Sequence, residues 1–134
     1  MHILIVDDEL VSRRKMEVIM SGFGTCETAQ SGGEAIAAFC RAWEDWSPFD
    51  LMTLDVSMPE MDGTEVLIKI RAKEKEKGVP ASRRVKILMV TGQLDKSTIV
   101  TCIEAGCDGY VSKPFDGYAV RQRVLRLGLV KDAG

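Results

Sequence analysis

The stretch FDLMTLDVSMPEMDG, residues 49–63, lies at the centre of the chain and decides how the remaining segments are interpreted. A mostly apolar run of strand length ends in a carboxylate, Asp55, and a turn-rich segment with Pro59 and Asp62-Gly63 follows. This pattern predicts a buried strand that carries Asp55 to the rim of a sheet, then a loop, then a helix. Many buried strands end in a polar residue, so the other segments must show whether Asp55 has a chemical role.

Composition and length predict a single globular domain. The 134 residues suit one domain over 1–134, with a core between about residues 2 and 128. A net charge of −2 predicts neither a nucleic-acid surface nor one for anionic membranes. The apolar runs are far shorter than the ~20 residues of a membrane span, so we expect no membrane insertion. The start lacks the basic region of a signal peptide, and we expect a cytoplasmic protein.

Cysteine and histidine usage argues against a zinc site. The four cysteines have no C-x-x-C spacing, and the only histidine is His2. We therefore expect free thiols, buried or half-buried, and no disulfide. The cysteines are Cys26, Cys40, Cys102 and Cys107.

Strand patterns and helical patterns alternate five times along the chain. The strand patterns cover residues 3–6, 25–29, the run ending at Asp55, 85–90 and 109–112. Such alternation predicts an α/β fold, a doubly wound parallel sheet with helices on both faces. The second strand is short and polar, which predicts an edge position.

Two segments predict surfaces away from the strand ends. The alternating charges of residues 73–77 predict a solvated helix end. Trp43 and Trp46 precede the third strand, at the end opposite Asp55, and we expect both indoles to pack against the protein rather than to have a function.

The fourth helical pattern has its own start, inward face and stop. Asp95 is a candidate N-cap, and Gly106 is the predicted stop. Helical periodicity predicts that Ile99, Cys102 and Ile103 face the core.

Polar residues follow four of the five strands. Asp7 and Asp8 end the first strand, Asp55 the third, Thr91 the fourth and Lys113 the fifth. In a doubly wound sheet the carboxyl ends of the strands meet at one edge, where ligands bind. Convergence of these side chains from four distant segments indicates a functional site.

Four segments together resemble the receiver domains of two-component response regulators. They are LIVDDE at 4–9, LDVSMPEMDG at 54–63, VTG at 90–92 and GCDGYVSKPF at 106–115. The resemblance covers essentially the whole chain and is closest to stand-alone, single-domain chemotaxis regulators. It implies a flavodoxin-like five-stranded sheet of order 2-1-3-4-5 and a cis Lys113-Pro114 bond.

Three crowded carboxylates cannot all stay ionised without a cation. Oxygen-only ligands favour Mg²⁺, which keeps several of its own waters. By resemblance, Asp8 and Asp55 ligate Mg²⁺ directly, Asp7 ligates it through water, and the backbone carbonyl of Ser57 adds a ligand.

The resemblance also implies that Asp55 is a phosphoacceptor. Lys113 would neutralise the phosphoryl oxygens, and Thr91 and Tyr110 would form the switch that reports the phosphate. His2 lies about 17 Å from Asp7 along an extended strand and cannot supply the phosphate. The donor is therefore expected to be a sensor histidine kinase, a histidine phosphotransfer protein, or a small acyl phosphate.

Further positions follow from the same resemblance. Ser57, Gly92 and Gln93 are expected to modulate phosphate loss. The basic trio Arg13, Arg14 and Lys15 is either a kinase-docking surface or an ordinary solvated face. The output face is the fourth helix, fifth strand and fifth helix, with candidates Lys96, Glu104, Tyr110, Ser112, Tyr118 and Gln122.

We therefore expect a phosphorylation-dependent signalling switch, monomeric or weakly dimeric, that acts on an unidentified protein target or in a phosphorelay. Its only chemistry would be self-phosphorylation and self-dephosphorylation. One alternative is a degenerate receiver that serves as a phosphate-independent interaction module. Another is an aspartyl-phosphate hydrolase, although such enzymes usually carry a D-x-D pair, and here the second position is Ser57.

Overall fold

The computed structural model describes residues 1–92 and 96–130, and strands and helices alternate throughout them. The strands are β1 (His2–Val6), β2 (Thr25–Ala29), β3 (Leu51–Asp55), β4 (Lys86–Thr91) and β5 (Gly109–Ser112). The helices are α1 (Leu10–Met20), α2 (Gly32–Glu44), α3 (Gly63–Glu76), α4 (Lys96–Glu104) and α5 (Gly117–Arg126), with a 3₁₀ turn over Ala81–Arg83. No described helix combines the length and the apolar character needed to cross a membrane.

The five strands form one parallel sheet in the order β2-β1-β3-β4-β5, which confirms the predicted fold and the edge position of β2. Val6 lies opposite Leu54, Asp55 opposite Val90, and Thr91 opposite Ser112. This register brings the carboxyl ends of the strands to one edge.

The hydrophobic core has one layer on each face of the sheet. Leu4, Met52 and Ile87 face α2 and α3, while Ile3 and Leu88 face α1 and α5. Every residue of β3 is buried, including Asp55. Strands covered on both faces need near-continuous apolar sequence, so the polar residue is confined to the end of the run.

Two expectations about the helices were partly wrong. Within 73–77, Glu74 is fully buried, since it lies one turn after the core residue Ile70 on the inward face of α3. Cys102 does face the core, but Ile103 is 57% exposed because it lies on the next face of α4. Gly106 ends the fourth helix with φ +101°, as predicted, and Asp95 lies outside the described residues.

The expectation for the tryptophans holds only for Trp43, which packs against the core. Trp46 is 93% exposed, because the chain turns after α2 with φ +59° at this residue and directs the indole outward. All four cysteines are free thiols, as predicted.

Candidate functional site

The strand ends bring the predicted acidic residues together. Asp7 and Asp8 directly follow β1, and Asp55 is the last residue of β3. Each contributes one carboxylate oxygen to a group whose atoms all lie within 4.8 Å of one another. Asp7 and Asp55 are buried and Asp8 is exposed, so the cluster is open to solvent on one side.

Lys113, which directly follows β5, reaches this cluster with its ammonium group. Its Nζ lies 3.1 Å from Asp7 Oδ2, 3.3 Å from Asp55 Oδ2 and 3.1 Å from Glu9 Oε1. The side chain of Lys113 is only 17% exposed and those of Asp7 and Asp55 are buried, so these two contacts are weakly screened by water; Glu9 is exposed, and its contact is screened more. One ammonium group thus pairs with three carboxylates from two distant segments.

Glu9 is a site residue that the sequence reasoning missed. Besides its contact with Lys113, its backbone N–H donates to Asp7 Oδ1 at 2.9 Å and orients that carboxylate. The signal in the sequence was a third acidic residue directly after Asp7-Asp8.

The electrostatic environment raises the pKa of Asp55 to about 7. Burial is the largest cause, and the negative charge of Asp7 adds to it. Lys113 and the N–H of Ser57, 3.3 Å from Asp55 Oδ1, oppose the increase without cancelling it. A carboxylate in this setting is stabilised by an additional cation.

The acidic surroundings of Lys113 raise its pKa and so favour the charged ammonium form. Burial alone lowers it, but hydrogen bonds to Glu9 and Asp7 and the charges of Asp55 and Asp7 outweigh burial and raise the pKa above its ordinary value. Lys113 therefore stays charged throughout the physiological range.

Backbone contacts hold the loop after Asp55 in place. Gly63 N donates to the carbonyl of Val56 at 2.8 Å, and a Cβ at Gly63 would overlap the backbone carbonyl of Asp55. Asp62 caps α3 by accepting from Glu65 N at 2.9 Å. The Asp62-Gly63 pair thus lets the loop fold back closely against the end of β3.

The oxygen-only donor set fits Mg²⁺ well. Asp7, Asp8 and Asp55 offer three carboxylates, and the exposed side of Asp8 leaves room for the waters that Mg²⁺ retains. Ser57, predicted to contribute its carbonyl, lies two residues beyond Asp55 on the loop that its N–H anchors to that carboxylate.

The predicted switch residues lie on β4 and β5. Thr91 ends β4 and is 3% exposed, and Tyr110 on β5 is half-buried against the core. The guanidinium of Arg123 on α5 covers the Tyr110 ring at 4.9 Å from its centroid. Gly92 is exposed, with open space where a side chain would extend. Gln93 lies outside the described residues.

Two members of the basic trio make contacts within the protein. Arg13 Nη1 donates to the carbonyl of Asp7 at 2.9 Å, and Lys15 Nζ donates to the carbonyl of Phe115 and covers its ring. Both therefore connect α1 to the strand ends. Arg14 is exposed.

His2 lies at the opposite end of β1, as predicted. Its Nε2 lies 2.6 Å from Glu27 Oε2, and its ring stacks on Phe49 at 4.1 Å between centroids. The Lys113-Pro114 bond is cis, as the resemblance implied.

Comparison with known proteins agrees with this geometry. The family model described as response regulator receiver domain matches residues 3–125. The chemotaxis protein CheY of Pseudomonas aeruginosa is 31% identical over 128 residues, covering 95% of each chain. Histidine kinase 2 of Arabidopsis thaliana is 34% identical over 93% of this chain, which spans only 12% of that kinase.

Solved structures show the same likeness. The CheX–CheY–BeF₃–Mg²⁺ complex from Borrelia burgdorferi gives a TM-score of 0.82 at 27% identity, with 96% of this chain and 90% of that chain covered. The receiver domain of the Arabidopsis histidine kinase CKI1 with Mg²⁺ and BeF₃⁻ gives 0.76 at 30% identity, with 92% and 89% covered. With its strand order, its acidic cluster and these relatives, the chain belongs to the response regulator receiver domains of two-component phosphorelay signalling.

Proposed function

We propose that this receiver domain accepts a phosphoryl group on Asp55 in a Mg²⁺-dependent reaction. The observation that carries the proposal is the position of the Asp55 carboxylate, buried at the sheet edge, 3.3 Å from the Lys113 ammonium and beside Asp7 and Asp8. A nucleophile, a fixed cation and a set of metal ligands are thus assembled from three distant segments.

Asp7, Asp8 and Asp55 would hold the metal, with the Ser57 carbonyl as a further ligand. Bound Mg²⁺ would supply positive charge to the phosphoryl oxygens. Two similar receivers are described as complexes with Mg²⁺ and BeF₃, which supports the assignment of this cation. The exposed Asp8 leaves the site accessible from solvent.

The phosphoryl donor is a phosphohistidine of a sensor kinase or phosphotransfer protein, or a small acyl phosphate. An Asp55 carboxylate oxygen attacks the phosphorus in line. With a phosphohistidine donor the bond from phosphorus to the imidazole nitrogen breaks and the histidine leaves; with an acyl phosphate the bond from phosphorus to the acyl oxygen breaks and the carboxylate leaves. Lys113 pairs with a phosphoryl oxygen and exchanges part of its contact with Asp7 and Asp55 for that contact.

The phosphate acts through Thr91 and Tyr110. Two charge-assisted hydrogen bonds, from Thr91 and Lys113, contribute roughly 3–6 kcal/mol. Moving a two-state equilibrium from 1:99 to 99:1 requires about 5.5 kcal/mol, so the upper end of this range is enough for a nearly complete switch and the lower end for a partial one. Ser57 and Gly92 flank the phosphate, and these two residues and Gln93 are the positions that we propose to set its rate of loss.

The output is a protein contact through α4, β5 and α5, made by a single receiver domain that is monomeric or weakly dimeric. The chain turns over no external metabolite and changes only its own phosphorylation.

Its four free thiols suit the reducing cytoplasm. A phosphate-independent interaction module is the second candidate, and the reaction below distinguishes the two.

The test is incubation of the pure protein with Mg²⁺ and acetyl phosphate, followed by intact-mass measurement. We expect a gain of one phosphoryl group that requires Mg²⁺ and is absent in Asp55→Asn. Asp50→Asn, at the other end of β3, is the matched control and should be phosphorylated normally. Absence of both the mass gain and Mg²⁺ binding in the wild-type protein would favour the interaction module.

A further inference from the structure

A groove borders the ends at which β3 and β4 begin, opposite the acidic cluster. It consists of two concavities of about 320 Å³ and 220 Å³. Arg84 and Lys86 line both, so the concavities adjoin along these two side chains. Asp108 lines the first concavity, and Arg83 and Trp43 line the second.

Three of the four basic side chains that line the groove have few partners within the protein; the fourth, Arg71, is fully engaged. Arg83 and Arg84 are exposed, and among residues 1–92 and 96–130 Arg83 makes no hydrogen bond or ion pair through its side chain. Arg84 donates one long hydrogen bond, 3.4 Å, to a backbone carbonyl. Lys86 Nζ lies 3.9 Å from Asp108 Oδ1. These three cations retain donors for a ligand.

The acidic residues that line the groove are already engaged. Asp50 Oδ2 accepts from the N–H of His2 at 2.7 Å. Asp108 Oδ2 accepts from the N–H of Ile87 and from the guanidinium of Arg71, both at 2.8 Å. Four basic side chains line the groove against these two carboxylates, so the groove is locally positive on a chain whose net charge is −2.

The turn between α2 and β3 forms the other wall of the groove. Pro48 and Phe49 of this turn, and Trp43 in the last turn of α2, line the second concavity. Trp46 stands on the same turn, with its N–H bonded to the Trp43 carbonyl at 3.2 Å and its side chain 93% exposed. Its left-handed backbone, φ +59°, is sterically unfavourable for a bulky residue, yet it holds the indole in solvent.

We propose that this groove binds a short acidic segment of a partner protein. Carboxylates of the segment pair with Arg83, Arg84 and Lys86. An apolar side chain of the segment packs on the turn between α2 and β3, which carries Trp46. Tryptophan and arginine are the residues that most often dominate the energy of protein interfaces. A long polyanion such as nucleic acid would be repelled by the rest of a net negative chain, whereas a short acidic segment contacts the groove alone.

This site is separate from Asp55 and does not depend on its phosphorylation. The groove lies where β3 begins, and Asp55 is where β3 ends. We therefore expect the Asp55→Asn variant to bind the acidic segment as tightly as the wild-type protein does.

The test is selection of randomised decapeptides displayed on phage against the immobilised full chain. We expect the enriched peptides to be acidic, and a synthetic copy of the strongest to bind at least tenfold more weakly to the double variant Arg83→Glu/Arg84→Glu. The matched control, Arg14→Glu/Lys69→Glu, changes the net charge equally at exposed positions that line neither concavity and should alter affinity less than twofold.

A second readout locates the peptide. Trp43 and Trp46 are the only tryptophans in the chain, so binding should shift the intrinsic fluorescence to shorter wavelength. Trp46→Ala should weaken binding three- to tenfold while leaving the fold intact by circular dichroism. Enrichment of peptides that are not acidic, equal binding to both double variants, or tighter binding of a 20-nucleotide single-stranded DNA through the same arginines would each overturn the proposal.

Discussion

Two clusters of charged side chains lie at opposite ends of the same parallel strands, and they differ in how completely their charges are paired. At the end where β4 and β5 begin, Arg71 donates to Glu74, to Asp108 and to the carbonyls of Val85 and Gly106, at 2.6–3.0 Å. The second carboxylate oxygen of Glu74 accepts from Val85 N at 2.8 Å. Lys86 Nζ lies 3.9 Å from Asp108 Oδ1, so two basic and two acidic side chains balance here, and the buried groups are hydrogen-bonded.

At the carboxyl ends of the strands the charges do not balance. Asp7, Asp8, Glu9 and Asp55 lie around one ammonium group, that of Lys113. Burial of Asp55 beside Asp7 raises its pKa to about 7, which is the signature of a carboxylate that lacks enough counter-charge. The first cluster stabilises the fold, and the second retains an electrostatic cost that a bound cation relieves.

The largest effect is expected from Glu74→Ala. This change removes the carboxylate that pairs with Arg71 and leaves Val85 N without its acceptor, so the free energy of unfolding should fall by about 3–5 kcal/mol. Urea denaturation measures the difference. Glu76→Ala, exposed on the same helix, should cost less than ~0.5 kcal/mol. Equal losses in the two variants would show that the buried cluster has no special structural role.

Asp55→Asn is expected to increase the free energy of unfolding, whereas Glu74→Ala lowers it. The pKa of Asp55 in the folded protein, about 7, exceeds the ordinary value of 3.8, so its ionisation destabilises the fold, fully so above pH 7. In EDTA at pH 8 the variant should be more stable than the wild-type protein by about 1–3 kcal/mol, and this advantage should shrink as the pH falls through 7. Urea denaturation at pH 8 and pH 5 measures it.

Asp45→Asn, at an exposed carboxylate after α2, is the control for that pH series and should change stability little at either pH. An Asp55→Asn variant that is less stable than the wild-type protein at pH 8 would contradict the interpretation that the ionised Asp55 carboxylate destabilises the fold.

Addition of Mg²⁺ should reduce the excess negative charge of the acidic cluster and so bring its charges closer to balance. At a concentration ten times its dissociation constant, Mg²⁺ should stabilise the wild-type protein by about 1.4 kcal/mol, because it binds the folded acidic cluster alone. Thermal unfolding should shift upward by a few degrees. Asp55→Asn should respond less, and Glu74→Gln should respond like the wild-type protein; a response independent of Asp55 would place the metal elsewhere.

The smallest effect is expected from Lys86→Ala. Lys86 Nζ lies 3.9 Å from Asp108, and its side chain is 38% exposed, so solvent screens the pair. The free energy of unfolding should change by about 0–0.5 kcal/mol. A loss comparable to that of Glu74→Ala would mean that the Lys86–Asp108 pair contributes as much to stability as the buried Glu74–Arg71 pair.

Much of the candidate site at the carboxyl ends of the strands could be predicted, because the residues that indicate it lie within short segments of sequence. Asp7, Asp55 and Thr91 each end an apolar run, and parallel strands bring such ends together whatever the details of packing. Lys113 lies just beyond the fifth run in the same way. Glu9 was missed because it follows Asp8 into the start of α1, and only the approach of Lys113 from β5 makes it part of the cluster.

The sequence by itself determined the alternation of strands and helices, the sheet edge that carries the acids, and the family, because run lengths and terminal polar residues are properties of short segments. Only the tertiary structure decided which charges are buried and paired. Glu74 and Glu76 look alike in a run of alternating charge, yet one is sealed beneath Arg71 and the other is exposed. The exposure of Trp46 was decided in the same way, because burial depends on which elements pack together and sequence periodicity describes one element at a time.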